Sequence, residues 1–519
     1  MQSIKINTYK DIEKLYKLEL RDLQMSDWTI AGRIKFTARP SDIYRYMDFS
    51  TYQLEVGETP RDTLKEYYNS PECFNGDLYS FQKDILNKSA EYNNLLLNVD
   101  LGLGKTIMSL YHTLRNKADS ILIVAPLNVL NQWERTLKEF FNLDSVVIRN
   151  QKNKYELFMN EAIVITNFEQ IPTLLKKNEG ELITFDTIIV DEVSKIKNWE
   201  TNRSKALTQI ISKNKIGLTG TPIENKIDDV YNIADYLKAG SLGGKKKFNE
   251  RYKIMERNYW GGLELIGHQN LHELNSRLIN EVMVKYTKED LPEALPELNN
   301  IIRPVTLNNK EKNSYWEQMA DLAEIGFGEV ANCKVFSSNP AIKHTLELQS
   351  NKEKELEEII FDEMPNKKII VFTEYKKNIY RFKDIFSKYD RQQFFLSGDN
   401  SNAISTLIEK FIESDNGVLF MTDVGQYGTD GLQVADTLIH FDLPWNPARY
   451  KQRTGRIHRL GIDKTKTVIT LIHETGYDEY LMNLLNDKDN LSKEAISGKM
   501  KSKLLDIEKQ IPKKYLKKT

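Results

Sequence analysis

The chain has 519 residues, enough for roughly three to four domains of about 150 residues each, so a sizeable core can form without disulfides or structural metals. Its 73 Lys and Arg against 74 Asp and Glu give a formal net charge of -1, which excludes a globally basic nucleic-acid coat and makes any nucleic-acid surface a local one. With 40% hydrophobic and 28% charged residues it is neither a disordered nor a membrane-embedded composition, and apolar runs such as Ile121 to Val124 are far too short to span a bilayer.

Residues 1–77 match no recognisable pattern and are read as an accessory segment, either a module that binds a protein partner or reads substrate, or packing for the first α/β half. The stretch from Met1 to Tyr16 is charged at helical spacing and has no apolar signal region. Two cysteines, Cys73 and Cys333, are too few for a zinc site or a disulfide framework, which fits a reducing compartment, the cytoplasm. Richness in Lys, Asn and Ile and the absence of chromatin-reading modules point to a bacterial or virus-infected cell.

Over residues 78–238 apolar runs alternate with amphipathic helical patterns, the signature of a parallel sheet covered by helices. Strands are expected at Asn94 to Val99, Ser120 to Ala125, Ala162 to Thr166, Thr187 to Val190 and Lys215 to Leu218. Over 239–349 the strand runs fade and charged helical patterns take over, broken by Pro292, Pro296 and Pro304, so a helical insertion and linker is expected. Alternation resumes over 350–475, with strands expected at Lys368 to Thr373, Arg391 to Leu396, Gly417 to Met421, Thr437 to Phe441 and Thr467 to Ile472. Residues 476–519 end in a Lys-rich stretch that reads as a solvated tail. The fold class is α/β, with two similar parallel-sheet halves.

The strongest local signal is Gly102-Leu103-Gly104-Lys105-Thr106, which follows an apolar strand and opens an amphipathic helix. Glycines there let backbone N–H groups face phosphate oxygens, Lys105 can reach the β and γ phosphates, and the Thr106 hydroxyl can ligate magnesium. Val99 stands where the usual eight-residue pattern has its first glycine, and taken alone the segment also fits a tight strand-to-helix turn. Next, Ile188-Ile189-Val190 runs directly into Asp191-Glu192, placing two carboxylates at the C-terminal end of a buried strand, where α/β ligands bind. Asp191 can hold the metal shell while Glu192 deprotonates an attacking water; alone, such a pair is more often a solvated turn. Third, Gln452-Arg453-Thr454-Gly455-Arg456-Ile457-His458-Arg459 places Arg456 and Arg459 three apart, expected to share a helix face. Such guanidinium groups can complete a phosphoryl-transfer site or lie against phosphate backbone.

Together these segments resemble a superfamily 2 helicase-related ATPase of the Swi2/Snf2 group, from about Leu78 to Ser497. Leu78-Tyr79-Ser80-Phe81-Gln82 is similar to the stretch whose glutamine reads adenine, which implies that role for Gln82. Asp100 to Thr106 resembles motif I, implying ATP binding by Gly102, Leu103, Gly104, Lys105 and Thr106, with Mg2+ on Thr106 and Asp191. Ala125-Pro126 with Trp133-Glu134 resembles motif Ia and Ile165 to Phe168 motif Ib, both implied to face a nucleic-acid strand. Leu218 to Asn225 resembles motif III, Phe372-Thr373 motif IV and Met421 to Gln433 motif V, and Trp445-Asn446-Pro447 is a further feature of the group. Gln452 to Arg459 is similar to motif VI, implying arginine fingers at Arg456 and Arg459. Gly240-Ser241-Leu242, Phe248 to Tyr252 and Tyr286 to Pro292 resemble the helical protrusions of the group, and Tyr477 to Ser497 its bracing helices. The implied architecture is two RecA-like lobes with a helical insertion between them.

Three departures stand out. Motif II ends in Ser194 where the family has His, motif V is about one residue longer, and Lys285-Tyr286 retains one charge of a usual basic pair. The resemblance implies a DNA-dependent ATPase translocating on duplex DNA in a sequence-independent manner. The alternatives are a strand-separating helicase and an ATP-binding, DNA-associated switch with little turnover, the latter motivated by Ser194. Of the tryptophans Trp133, Trp316 and Trp445, none is assigned a base contact, because core packing is the commoner use. Lys245-Lys246-Lys247 reads as a solvated loop and His458 as a structural group.

Overall fold

The structure is a computed structural model that describes residues 3–6, 53–56, 74–177, 183–223, 226–257, 262–291, 297–308, 334–344, 349–399, 404–423, 431–444, 446–459, 464–473, 478, 481–483 and 485. Trp316, Trp445, Glu224-Asn225, most of motif V and most of the expected bracing segment lie outside them. The chain divides into two units, the first spanning Met1–Tyr252 and Asn270–Asp290, the second Lys253–Gln269 and Leu291–Glu494.

In the first unit, β1 (Ser3–Ile6) and β2 (Gln53–Val56) pair in parallel as a small sheet of their own. The main sheet takes β3 (Asn94–Val99), β4 (Ile121–Ala125), β5 (Val146–Ile148), β6 (Ile163–Asn167), β7 (Thr184–Asp191) and β8 (Ile211–Thr219). Between and after them run α1 (Ser80–Ser89), α2 (Lys105–Arg115), α3 (Leu130–Phe141), α4 (Lys154–Asn160), α5 (Gln170–Lys176), α6 (Asn202–Leu207) and α7 (Ile227–Leu237), followed by α8 (Lys245–Tyr252). In the second unit β9 (Lys253–Arg257) and β10 (Leu263–His268) form an antiparallel hairpin. The chain then returns to the first unit as α9 (Leu271–Glu281) and β11 (Met283–Tyr286), completing a seven-stranded sheet in the order β11-β3-β8-β7-β4-β6-β5. Every pairing in it is parallel.

The second sheet begins with β12 (Leu298–Val305) and continues through α10 (Pro340–His344), α11 (Asn351–Glu357), β13 (Ile369–Thr373), α12 (Lys376–Phe386), β14 (Gln393–Leu396), α13 (Ile404–Glu413), β15 (Val418–Thr422), β16 (Thr437–His440), α14 (Pro447–Thr454) and β17 (Lys466–His473). Its order is β12-β17-β16-β13-β15-β14, again entirely parallel. Central strands β4, β13 and β15 are buried along their whole length, as expected where helices cover both faces, and this is why they read as unbroken apolar runs. Two apolar clusters back the second sheet, one around Phe382, Phe420 and Phe441, the other around Phe411, Leu438 and Ile457.

The stretch 239–349 carries the expected helical segments α8 and α9, but it also supplies an edge strand to each sheet: β11 beside β3, and β12 beside β17. Pro304 lies within β12, where it is tolerated because an edge strand pairs on one side only. No helix among the described residues is long and apolar enough to cross a membrane.

One buried titratable group in α2 gives the first unit a pH signature. His112 is 1% exposed, and its ring nitrogens meet Ser89 Oγ at 3.1 Å, Arg115 Nη2 at 3.3 Å and Asn116 Nδ2 at 3.1 Å. Burial, with Arg115 nearby, lowers its pKa to about 4. An unfolded chain takes up this proton near pH 6.5. Stability should therefore fall with pH between about 6.5 and 4, by up to about 1.4 kcal/mol per pH unit. Denaturant titrations of His112→Gln should show a shallower acid loss than wild type; an unchanged slope would contradict the assignment.

Candidate active site

The first unit gathers its chemistry at the C-terminal edge of its sheet. β3 ends at Val99, and the chain turns through Gly102 and Gly104, both at φ 84°, before Lys105 opens α2. That left-handed backbone favours glycine, and at Gly104 there is a second constraint: a Cβ would lie 2.4 Å from Gln82 Nε2. Leu103 anchors the loop in the core at 1% exposure. The Lys105 ammonium donates to Val99 O at 2.7 Å and to Asp100 O at 3.2 Å, curled over the loop it belongs to. Thr106 occupies the first turn of α2, where free N–H groups and the helix dipole favour an anion. Gln82 spans two elements: Oε1 accepts from Tyr79 N at 3.1 Å at the start of α1, and Nε2 donates to Leu103 O at 3.1 Å.

Asp191 ends β7, two strands from β3 across β8. Burial raises its carboxyl pKa, against the lowering influence of the Trp133 indole N–H, the Lys105 charge, the Glu192 N–H and Lys195. Trp133 Nε1 donates to Asp191 Oδ2 at 3.0 Å, so this tryptophan, placed by sequence in a nucleic-acid-facing motif, is a buried partner of the acidic pair. Glu192 sits at φ 54°, ψ 56°, a left-handed conformation that costs about 1–3 kcal/mol for a residue with a side chain. Val193 and Ser194, both buried, begin the short 3-10 turn after it. Gly217 on β8 makes room for that turn, since a Cβ there would meet both Val193 Cγ atoms at 3.1 Å. The motif III segment abuts the same loop: a Cβ on Gly220 would lie 3.5 Å from Val99 O.

The chain beyond β11 is tied to this loop. Asp100 Oδ2 accepts from Lys288 N at 2.9 Å, Asp100 N donates to Tyr286 O at 3.1 Å, and the Tyr286 ring stacks on Phe81 with centroids 5.6 Å apart. Sequence reading gave Asp100 no role beyond its motif; its carboxylate joins the phosphate-loop segment to the insertion.

The second unit repeats the plan with a different charge. Arg453, on α14, is fully buried; its Nε donates to Asp423 Oδ1 at 2.7 Å and its Nη1 to Asp442 O at 3.1 Å, with the guanidinium over the Phe372 ring. Asp442 accepts from Ser338 Oγ at 2.7 Å, Thr373 Oγ1 at 2.6 Å and Glu374 N at 2.9 Å. Burial works to lower the Arg453 pKa, but Asp423, Asp442 and Glu374 outweigh it and the net direction is up. Beside it Lys334 pairs with Glu374, where burial pushes the ammonium down and the carboxyl up against their mutual attraction.

Arg456 and Arg459 do not share a helix face. α14 ends at Thr454, and Gly455 carries the chain into a turn in which Arg456 N donates to Arg453 O and Ile457 N to Thr454 O. Ile457 is buried, while Arg456 and Arg459 are half-buried on either side of it; Arg459 Nε donates to Gly455 O at 3.3 Å. Arg453 and Asp442 were missed in the sequence. The available signal was the apolar run Thr437 to Phe441 leading into Asp442, the same form as Ile188 to Val190 leading into Asp191.

A phosphate loop and an acidic pair on one parallel edge, with a second parallel sheet later in the chain, define a two-lobed RecA-like P-loop ATPase. The SNF2-related domain matches residues 45–375, and the helicase conserved C-terminal domain matches 351–461. The chain belongs to the SNF2-related family and is an ATP-dependent enzyme of helicase superfamily 2. It is 26% identical over 459 residues to the uncharacterized ATP-dependent helicase YqhH of Bacillus subtilis, covering 80% of this chain and 79% of that one. With the putative ATP-dependent helicase/translocase YwqA of the same organism it shares 27% over 483 residues, covering 85% of this chain and only 51% of the relative. A solved Sulfolobus solfataricus SWI2/SNF2 ATPase core in complex with dsDNA is 25% identical with a TM-score of 0.40, covering 83% of this chain and 95% of that one.

The buried arginine gives a stability prediction. Arg453→Met removes the fully buried cation beside Asp442 and leaves Asp423 only the half-exposed Arg449 at 3.5 Å, and removing one partner of a buried pair typically costs about 3–5 kcal/mol. Denaturant unfolding of the full chain should show a loss of that order; a loss below about 1 kcal/mol would contradict the arrangement.

Proposed function

We propose that the protein is a duplex-DNA-stimulated ATPase that couples MgATP hydrolysis to translocation along DNA. The observation that carries this reading is the convergence of the glycine loop, Lys105 and the Asp191-Glu192 pair on one sheet edge in a chain of the SNF2-related family. The name of the relative YwqA, a putative helicase/translocase, supports the same reading.

The donor set suits magnesium, a hard cation usually held by one or two carboxylates, waters and substrate phosphates. Among the described residues no group of three or more His, Cys, Asp and Glu could hold a metal by itself. Bound Mg2+ would neutralise developing charge on the phosphates. In this reading the Thr106 hydroxyl and the Asp191 carboxylate hold it, and Lys105 exchanges its two loop carbonyls for phosphate oxygens. Glu192 takes the proton of the attacking water. Gln82 reads the adenine edge from its place against Leu103. Arg456 and Arg459 are the proposed arginine fingers.

DNA contacts would be mainly to phosphates, so binding should weaken steeply with salt and show little sequence preference. Glu192→Gln should abolish hydrolysis yet keep ATP and DNA binding, and Arg456→Ala should keep ATP binding while lowering turnover about a thousandfold. Equal loss of binding and hydrolysis in folded Glu192→Gln, or normal turnover in Arg456→Ala, would reject those assignments. Movement on duplex is tested by displacement of a triplex-forming strand: ATP-dependent displacement is expected, with no separation of a tailed duplex. The reverse pattern would make the protein a strand-separating helicase.

Ser194, buried where the family has His, favours a second reading as an ATP-holding switch with little turnover. Tight ATP binding with no hydrolysis on any polymer would select it.

A further inference from the structure

We infer that Trp133 is a positioning residue for the metal-holding carboxylate: its indole N–H fixes Oδ2 of Asp191 and so presents the remaining oxygen in one orientation. This rests on the proposed role of Asp191.

The placement comes from the fold. α3 buries Leu130, Trp133, Leu137 and Phe141, a single stripe at helical spacing. The strand before it, β4, pairs directly with β7, Val124 opposite Val190, so the β4-to-α3 connection leaves its sheet edge one strand from Asp191. Trp133 is 1% exposed, and its indole has one N–H and no acceptor. Buried without a partner, that N–H would cost about 1–3 kcal/mol. The partner it has is Asp191 Oδ2 at 3.0 Å.

The carboxylate gains a defined direction. The terminal torsion of aspartate is broad and roughly two-fold, so position on the strand alone does not choose which oxygen faces outward. The Glu192 N–H also bonds this carboxylate, but it belongs to the adjoining turn; the hydrogen bond from a rigid, core-packed ring is the one that ties Oδ2 to a fixed point outside it. Partners of this kind to a ligating carboxylate are typically worth about 10–100-fold in metal affinity. Phenylalanine would fill most of the same space and supply no donor.

The test is Trp133→Phe in the full chain, measured by equilibrium binding of a fluorescent non-hydrolysable ATP analogue across a Mg2+ titration and in EDTA. The Mg2+ concentration at half-maximal tightening should rise about tenfold while affinity in EDTA stays unchanged. An unchanged midpoint in folded variant overturns the inference. Asp191→Asn separates the two levels: if it leaves the midpoint unmoved, the metal role of Asp191 fails, whereas if it moves the midpoint and Trp133→Phe does not, only the positioning role fails. Should Trp133→Phe not fold, the wild-type indole 15N–1H resonances give the answer. The chain has 6 tryptophans, so the Trp133 signal can be assigned by replacing the others singly. It should shift on adding Mg2+ to the analogue complex; no shift overturns the inference.

Discussion

A charge buried at the end of a strand costs several kcal/mol unless donors or counter-charges meet it there. Both units are organised around that constraint. In a parallel sheet the C-terminal strand ends gather on one edge, and each sheet places carboxylates on that edge: Asp191 after β7 in the first, Asp423 and Asp442 after β15 and β16 in the second. The first sheet answers with the Trp133 and Glu192 N–H groups and the nearby Lys105 and Lys195. In the second, the fully buried Arg453 donates to the Asp423 carboxylate and to the Asp442 backbone carbonyl, tying α14 to both strand ends, and Arg456 and Arg459 follow the end of that helix.

Backbone conformation and steric room set the chain around the site. Glycine stands at positions 102 and 104 because the turn from β3 into α2 runs through left-handed conformations, and at 104 because Gln82 occupies the space of a side chain. Gly217 on β8 admits Val193, which carries the strained Glu192 on its N-terminal side. Asp100 and Tyr286 then bind the chain beyond β11 to the phosphate loop, so a segment far along the sequence is part of the first unit's site architecture.

Much of this was legible in the sequence because buried parallel strands are long, unbroken apolar runs. β3 spans the expected Asn94 to Val99, and β13 and β16 begin or end within one residue of expectation. β11 and β12 were not legible: one has four residues, and the other carries Asn299, Asn300, Arg303 and Pro304, a polar edge-strand composition that imitates a linker. The Arg456-Arg459 spacing suggested a helix, but Gly455 ended it first. Arg453, Asp442 and the Trp133 bond escaped because a residue's letter does not say whether it is buried. That depends on which strands become neighbours.

We propose that the first unit's site hydrolyses ATP in response to duplex DNA. Its most direct test is the steady-state ATP hydrolysis rate of purified protein without polymer, with single-stranded DNA, with duplex DNA and with RNA, at low and moderate salt, with Lys105→Ala as control. Strong stimulation by duplex DNA, weakening with salt and absent from the Lys105 variant, is the predicted result. A rate that no polymer changes, in protein that binds ATP, would contradict it.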